Sequence, residues 1–442
     1  MTKYLAIDIG ASSGRHILFW IENGKLLQKE LYRFKNGPVT RNGALIWDAD
    51  RLVNEVREGL RCAGEAGLAP DYVGIDTWAV DYALLDRNGA RIGNIFCYRS
   101  DRTAGAIERM HAAMPFSTLY EHTGIQFQPF NTLYQLCADR ESGKLDGAAH
   151  FLMLPDYLNY TLTGIMRQEY TNATSTGMVN ALTRTWDEDI LATAGLPRHL
   201  FGALTQPGSV VGQVTEEVAR EIGYRPTVLL PATHDTASAV LAAPIRTPAP
   251  YISSGTWSLL GLCEPHAHTD PASMAANWSN EGAPDFTFRY QKNIMGLWML
   301  QSIRRELGED VSFEALIRMA ESAPGGITVD VNHPDFLAPD SMLDAVRRHA
   351  PACRDTAALV RCVYDSLALC YKTSIEELER TVGRHFDVLH IIGGGCRDTL
   401  LNRLTAEATG KTVLPGPVEA TAIGNALMQL KATHVDTQNL II

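Results

Sequence analysis

Transferring an anionic group requires positive charge and free N–H donors for the anion, and a base for the attacking hydroxyl. The residues around Asp8 supply the first part. Leu5, Ile7 and Ile9 alternate with Ala6 and Asp8, and Gly10-Ala11-Ser12-Ser13-Gly14-Arg15 then breaks the pattern. A Gly/Ser turn between strands lets backbone N–H groups and hydroxyls approach anionic oxygens, and Arg15 adds charge. Asp8 offers a hard oxygen ligand for Mg²⁺, directly or through water. A plain β-turn beside a solvated aspartate is the other reading of this segment. No Gly-x-x-x-x-Gly-Lys-Ser/Thr loop occurs, and no Gly-x-Gly-x-x-Gly run opens a helix, so two common nucleotide fingerprints are excluded.

The turn at Gly255-Thr256 repeats the first one, and two such turns facing one another would hold both ends of a polyphosphate. His234-Asp235-Thr236 falls where a strand ends and a small-residue helix begins. Asp235 reads equally as a general base for a substrate hydroxyl and as a helix N-cap. Gly393-Gly394-Gly395 at a strand end offers bare backbone to a ring or ribose, or else makes a tight strand-to-helix turn. Glu419 to Ala426 reads as a closely packed small-residue helix. Asp76 and Asp81 would face opposite sides of an unbroken strand, so only one serves a site unless a bulge intervenes. Trp78 reads first as core and second as a sugar-stacking ring. His266 and His268 are a metal pair on paper but read as polar surface.

The elements that position these residues follow from periodicity. Strand, turn, strand and a third strand run to Phe34, and an amphipathic helix starts near Asp48 with Leu52, Val53, Val56 and Leu60 on one face. Tyr72 to Asp86 returns to strand, broken near Trp78. In the second half an apolar strand, a Ser/Gly turn and another strand recur at Tyr251–Leu260. A long helix over about Thr356 to Arg380, a strand at Val388–Ile392 and a helix from about Asp398 follow. This is mixed α/β with two related halves, and the Pro/Ala-rich stretch Ala243 to Pro250 fits a boundary.

Composition narrows the classes further. The 442 residues suit two or three domains, and a formal net charge of −11 disfavours nucleic acid or anionic lipid as main partner. No apolar run is long enough for a membrane span, and Asp8 spoils a signal peptide, which points to the cytosol. The eight cysteines contain no Cys-x-x-Cys pair and read as reduced, mostly buried thiols.

Taken together, Asp8–Arg15, Gly74-Ile75-Asp76-Thr77-Trp78, His234-Asp235-Thr236, Ser254-Gly255-Thr256-Trp257-Ser258 and Gly393-Gly394-Gly395-Cys396 resemble the FGGY family of carbohydrate kinases. The blocks stand in the family's order, and the resemblance runs from Tyr4 to about Gln429. It implies two ribonuclease-H-like, actin-like ATPase domains with a cleft between them, residues 1–243 on the sugar and phosphate side and 244–442 on the nucleotide side. By the same resemblance Ala11, Ser12, Ser13, Gly14 and Arg15 bind ATP phosphates, with Thr256, Gln301 and Gly394 completing the nucleotide site. Asp235 is the implied proton acceptor, Asp8 the carboxylate on the Mg²⁺ side, and Ala79, His234, Thr236 and Asn293 contact the sugar. Asn293 and Gln301 also read as capping and decorating a helix that begins near Ile294. Ala79 departs from the family, which is expected to carry glycine there.

The reaction implied is transfer of the γ-phosphoryl of ATP to O1 of L-rhamnulose. One alternative is a sibling kinase acting on another ketose, such as L-fuculose. Another is a non-catalytic nucleotide-binding sugar sensor, which the intact Asp235 and the acidic charge disfavour.

Overall fold

Apolar residues at nearly every position of Lys3–Ile9 give a strand buried from Tyr4 onward, as expected of the centre of a covered sheet. The computed structural model describes residues 1–245, 248–308, 310–437 and 440–441. Its strands are labelled β1 (Lys3–Ile9), β2 (Ser13–Glu22), β3 (Lys25–Lys35), β4 (Tyr72–Thr77), β5 (Val210–Gln213) and β6 (Thr227–Leu229). In the second half they are β7 (Tyr251–Ser254), β8 (Trp257–Glu264), β9 (Phe288–Met295), β10 (Val388–Ile392) and β11 (Thr412–Pro415). Six helices matter below: α1 (Ala49–Glu65), α2 (Asp235–Leu241), α3 (Trp298–Leu307), α4 (Thr356–Val382), α5 (Thr399–Thr409) and α6 (Ala420–Ala432).

The described residues form two units. One takes Met1–Ala242, Glu264–Arg289 and Thr421–Ile442, and the other Ala243–Cys263 and Tyr290–Ala420. The chain thus enters the first unit three times. The stretch expected to hold the boundary includes Arg246 and Thr247, which lie outside the described residues.

The first unit carries the order β5-β6-β4-β1-β2-β3. Its β1 pairs antiparallel with β2 and parallel with β4, and β4 continues parallel to β6. The other sheet also has six strands, in the order Ser279–Gly282, then β9-β8-β7-β10-β11. There β7 pairs antiparallel with β8 and parallel with β10, which continues parallel to β11. The internal repeat read from two short turns is therefore a repeat of five strands, the sixth lying at opposite ends of the two sheets.

Helix α1 starts as its sequence dictates, with the Asp48 side chain accepting from the Arg51 N–H at 3.1 Å. It buries Leu52, Val56 and Leu60 against Leu5, Ile7, Val73 and Ile75 of the sheet, each large side chain contributing roughly 1.5–3 kcal/mol by leaving water. The helix passes so close to β2 that a Cβ on Gly59 would sit 2.4 Å from the His16 ring. α4 and α5 lie within a residue or two of their expected limits, and Asp398 caps α5 by accepting from the Leu401 N–H at 3.0 Å. All eight cysteines are free, with Cys263 exposed. Among the described residues no helix is long and apolar enough to cross a membrane.

His16 is fully enclosed between sheet and helix, and burial lowers its imidazole to about 4. The unfolded chain, with an ordinary histidine near 6.5, therefore binds the proton first as pH falls. Its stabilising contribution is complete above about pH 6.5 and is lost on descending to about pH 4, a swing of about 3 kcal/mol. Urea titrations between pH 7 and 4 should show that loss in the native chain and a flatter profile in His16→Leu.

Candidate active site

Register sets the first feature of the site. On the parallel pair β1 and β4, Asp8 lies opposite Asp76 and Ile9 opposite Thr77, so the two carboxylates leave the sheet together. Arg15, opposite Asp8 on β2, reaches it at 3.1 Å. Asp76 is wholly buried and accepts from Asn425 Nδ2 at 2.6 Å through Oδ2, while its Oδ1 has no hydrogen-bond partner. Burial, then the neighbouring Asp8 charge, push the Asp76 carboxyl well above the usual range, and Asp235 adds to the effect.

Asp235 arrives at the same sheet end by a separate route. The Thr77 N–H donates to the Thr233 carbonyl at 2.9 Å and Thr77 bridges His234 in parallel. His234 is the N-cap of α2 and Asp235 its first residue. The N-cap reading of Asp235 is thus displaced by one residue: it is the first helical residue rather than the cap, and its Oδ1 accepts from the adjacent Thr236 N–H at 2.6 Å. Yet its side chain is 30% exposed against 5% for Asp8, which leaves Asp235 the accessible carboxylate of the three. His234 Nε2 stands 3.4 Å from Asp235 Oδ1.

The β1–β2 turn is braced by a residue that sequence reading passed over. Gly10 N–H donates to Ser13 O at 2.9 Å, and Asn36 donates to Ser12 O from its backbone and to Gly10 O from its side chain at 2.8 Å. With these carbonyls tied back, Ala11–Arg15 has a fixed shape. Gly14 is required, since a Cβ there would lie 2.2 Å from the Phe34 ring.

Beyond β4 the chain turns sharply at Ala79-Val80-Asp81. The Asp81 N–H donates to Ala79 O at 3.0 Å around Val80, whose φ is +68°. A β-branched residue in a γ-turn of this hand is strained, which surrounding contacts must enforce. Here the Val80 carbonyl accepts from Thr132 Oγ1 at 2.8 Å and Gln135 Nε2 at 3.2 Å. Asp81 Oδ2 accepts from Trp47 Nε1 at 2.6 Å and Trp78 Nε1 at 2.9 Å, and burial raises its carboxyl to about 6. The turn explains why both Asp76 and Asp81 are buried, where an unbroken strand would have separated them. It also fixes Trp78 as core, its ring centroid 4.1 Å from that of Trp47.

The second unit gathers the remaining residues. Gly255 N–H donates to Trp257 O at 2.9 Å, a hairpin turn like the first. The Leu297 and Trp298 N–H groups donate to Gly255 O and Thr256 O at 3.0 and 3.1 Å, so α3, with Gln301, is anchored on that turn. The glycine run meets the same strand: Gly393 has φ +82°, and a Cβ on Gly395 would lie 2.0 Å from Ser254 Oγ. Gly394 faces open space. Asn293 lies on β9, with Oδ1 buried and unpartnered, and the helix expected near Ile294 begins instead at Trp298. The strand continues through Ile294 and Met295, both of them buried. Predicted site residues thus form two groups: Asp8, Ala11–Arg15, Ala79 and His234–Thr236 in the first unit, Thr256, Asn293, Gln301 and Gly394 in the second. His268 Nε2 is 3.4 Å from Glu264, and neither it nor His266 joins a cluster of three ligands among the described residues.

Two sheets sharing five strands of one order, each with a hairpin turn, belong to the two-domain, ribonuclease-H-like (actin-like ATPase) fold of sugar kinases. The chain belongs to the FGGY family of carbohydrate kinases, whose N-terminal domain matches residues 3–242 and whose C-terminal domain matches residues 250–433. It is therefore a sugar kinase, with ATP as phosphoryl donor. The rhamnulokinase of Oceanobacillus iheyensis is 42% identical over 97% of this chain and 93% of its own length. That of an Enterobacter species is 43% identical over 99% and 92%. Among solved structures, the gluconate kinase of Lactobacillus acidophilus superposes with a TM-score of 0.81 at 15% identity, covering 99% of this chain and 90% of that one.

The small-residue helix α6 backs the carboxylates, and close packing is its role. Gly424 abuts α2, where a Cβ would lie 1.7 Å from the Ser238 carbonyl oxygen, and the next residue, Asn425, holds Asp76. Gly424→Ala should therefore destabilise the fold by about 1–3 kcal/mol in urea titration.

Proposed function

We propose that this enzyme transfers the γ-phosphoryl group of ATP to O1 of L-rhamnulose. The reading rests on one observation above all: near 42% identity, along almost the whole chain, to relatives named rhamnulokinase. The site chemistry is compatible with it. Asp235, accessible and close to two buried carboxylates, accepts the proton of the attacking hydroxyl as the bond to phosphorus forms. Ala11–Arg15 and Thr256 provide N–H groups, hydroxyls and a guanidinium for the phosphate oxygens, where most of the rate enhancement of such a transfer arises. Gln301 and Gly394 complete the nucleotide side, and Ala79, His234, Thr236 and Asn293 the sugar side. The unpartnered Asn293 Oδ1 suits a sugar hydroxyl. On this reading residues 1–243 serve the sugar and phosphates and residues 244–442 the nucleotide, in a cytosolic enzyme.

A divalent cation fits the first unit. Asp8 and Asp76 are side by side, and Asp76 Oδ1 is a buried carboxylate oxygen without a partner. Hard oxygen donors of this kind suit Mg²⁺, with Asp8 holding it; when bound, it neutralises charge on the phosphate oxygens.

Asp235→Asn should bind ATP normally while losing roughly 10²–10⁴-fold in turnover, as read by nucleotide titration beside coupled ADP release. For the substrate, ADP release with L-rhamnulose, L-fuculose, L-ribulose, D-xylulose, glycerol and no sugar should give the highest kcat/KM for L-rhamnulose. A preference for another ketose would keep the kinase and move the substrate, directing attention to Ala79.

A further inference from the structure

Asp235 and His234 do not stand alone. Behind them runs a line of buried charge from a segment far along the chain. His234 Nδ1 lies 3.1 Å from Glu281 Oε2 and 3.2 Å from Arg289 Nη2. Arg289 Nη2 also donates to Glu281 Oε2 at 3.1 Å, and its Nε donates to the Gly282 carbonyl at 3.3 Å. Ser279 Oγ donates to the other Glu281 oxygen at 3.4 Å. The Arg289 side chain is 1% exposed and that of Glu281 7%.

Burying a guanidinium and a carboxylate carries a large desolvation cost, offset only by good pairing and full hydrogen bonding. An apolar pair of similar volume would fill this space without that cost, so stability alone does not account for the choice. What the pair does in space is meet one nitrogen of His234, which donates to Glu281 in one tautomer and accepts from Arg289 in the other. An imidazole held at Nδ1 has its plane and its Nε2 direction set by that contact, as in other sites where a buried carboxylate orients a histidine. The oriented Nε2 is the atom 3.4 Å from Asp235 Oδ1. Glu281 and Arg289 lie in the Glu264–Arg289 segment, which returns to the first unit after the chain has entered the second.

We propose that Glu281 and Arg289 are positioning residues for the sugar kinase reaction. Together they fix His234 so that its Nε2 and the Asp235 carboxylate present one preset arrangement to the acceptor hydroxyl. Neither touches substrate. The proposal rests on the assignment of His234 and Asp235 to the acceptor side. It does not depend on which ketose is preferred.

The test uses the full-length enzyme and the ketose that the wild type turns over best. Glu281→Gln and Arg289→Lys are the variants, with sugar-dependent ADP release, KM for ketose and for ATP, and Tm measured for each. The proposal predicts a loss of tenfold or more in kcat/KM for the ketose in both, with KM for ATP within twofold of wild type. The double variant Glu281→Gln/Arg289→Met removes both charges, and should regain Tm without regaining kcat/KM. Activity that recovers together with Tm would make the pair structural only and overturn the proposal. Near-normal kcat/KM in either single variant, or failure of all three to fold, would overturn it as well. Failure of the acceptor-side assignment would appear elsewhere, in an Asp235→Asn enzyme that keeps its turnover.

Discussion

The register of β1 against β4 is the constraint on which the site depends. By setting Asp8 opposite Asp76, it forces two carboxylates into one buried place, and the start of α2 brings Asp235 near them. Like charges so confined repel strongly at low dielectric, and the surrounding structure answers that repulsion. Arg15 comes across from β2, Asn425 comes from α6, and the Asp76 carboxyl is shifted toward its neutral form. A one-residue slip of β1 would turn Asp8 to the opposite face and remove both the crowding and its use.

Rigid backing recurs wherever the site needs a fixed backbone. The first hairpin turn is tied through Asn36, the second through the start of α3, and the Val80 γ-turn through Thr132 and Gln135. Each bond serves a carbonyl that would otherwise be free to turn. A strained or glycine-dependent conformation persists only when its neighbours over-determine it. The two sheets share a run of five strands and a hairpin turn, and in the first Asp8, Asp76 and Asp235 gather at the strand ends beside that turn.

Much of this was legible because it is local. The alternation around Asp8, the Asp48 and Asp398 caps, and the recurrence of a Ser/Gly hairpin at Gly255 are signals within a few residues. The break near Trp78 is legible as well, though the γ-turn at Val80 that makes it is a strain no propensity marks. The helix start near Ile294 is the local misreading, since β9 runs on through Met295. Long-range pairings were out of reach. Arg289 meets His234 across 55 residues, and Asn425 meets Asp76 across 349, and nothing in either neighbourhood announces the partner. The return of Glu264–Arg289 to the first unit is of the same kind, since only the folded chain shows it.

The central proposal is that Asp235 accepts a proton as the phosphoryl group passes straight from ATP to the sugar. Phosphorus stereochemistry tests that most directly. With ATP made chiral at the γ-phosphorus by isotopic oxygen and sulfur, one in-line displacement inverts configuration in the sugar phosphate, and inversion is the predicted result. Retention would require two displacements, with a phosphorylated enzyme between them, and would contradict the role assigned to Asp235.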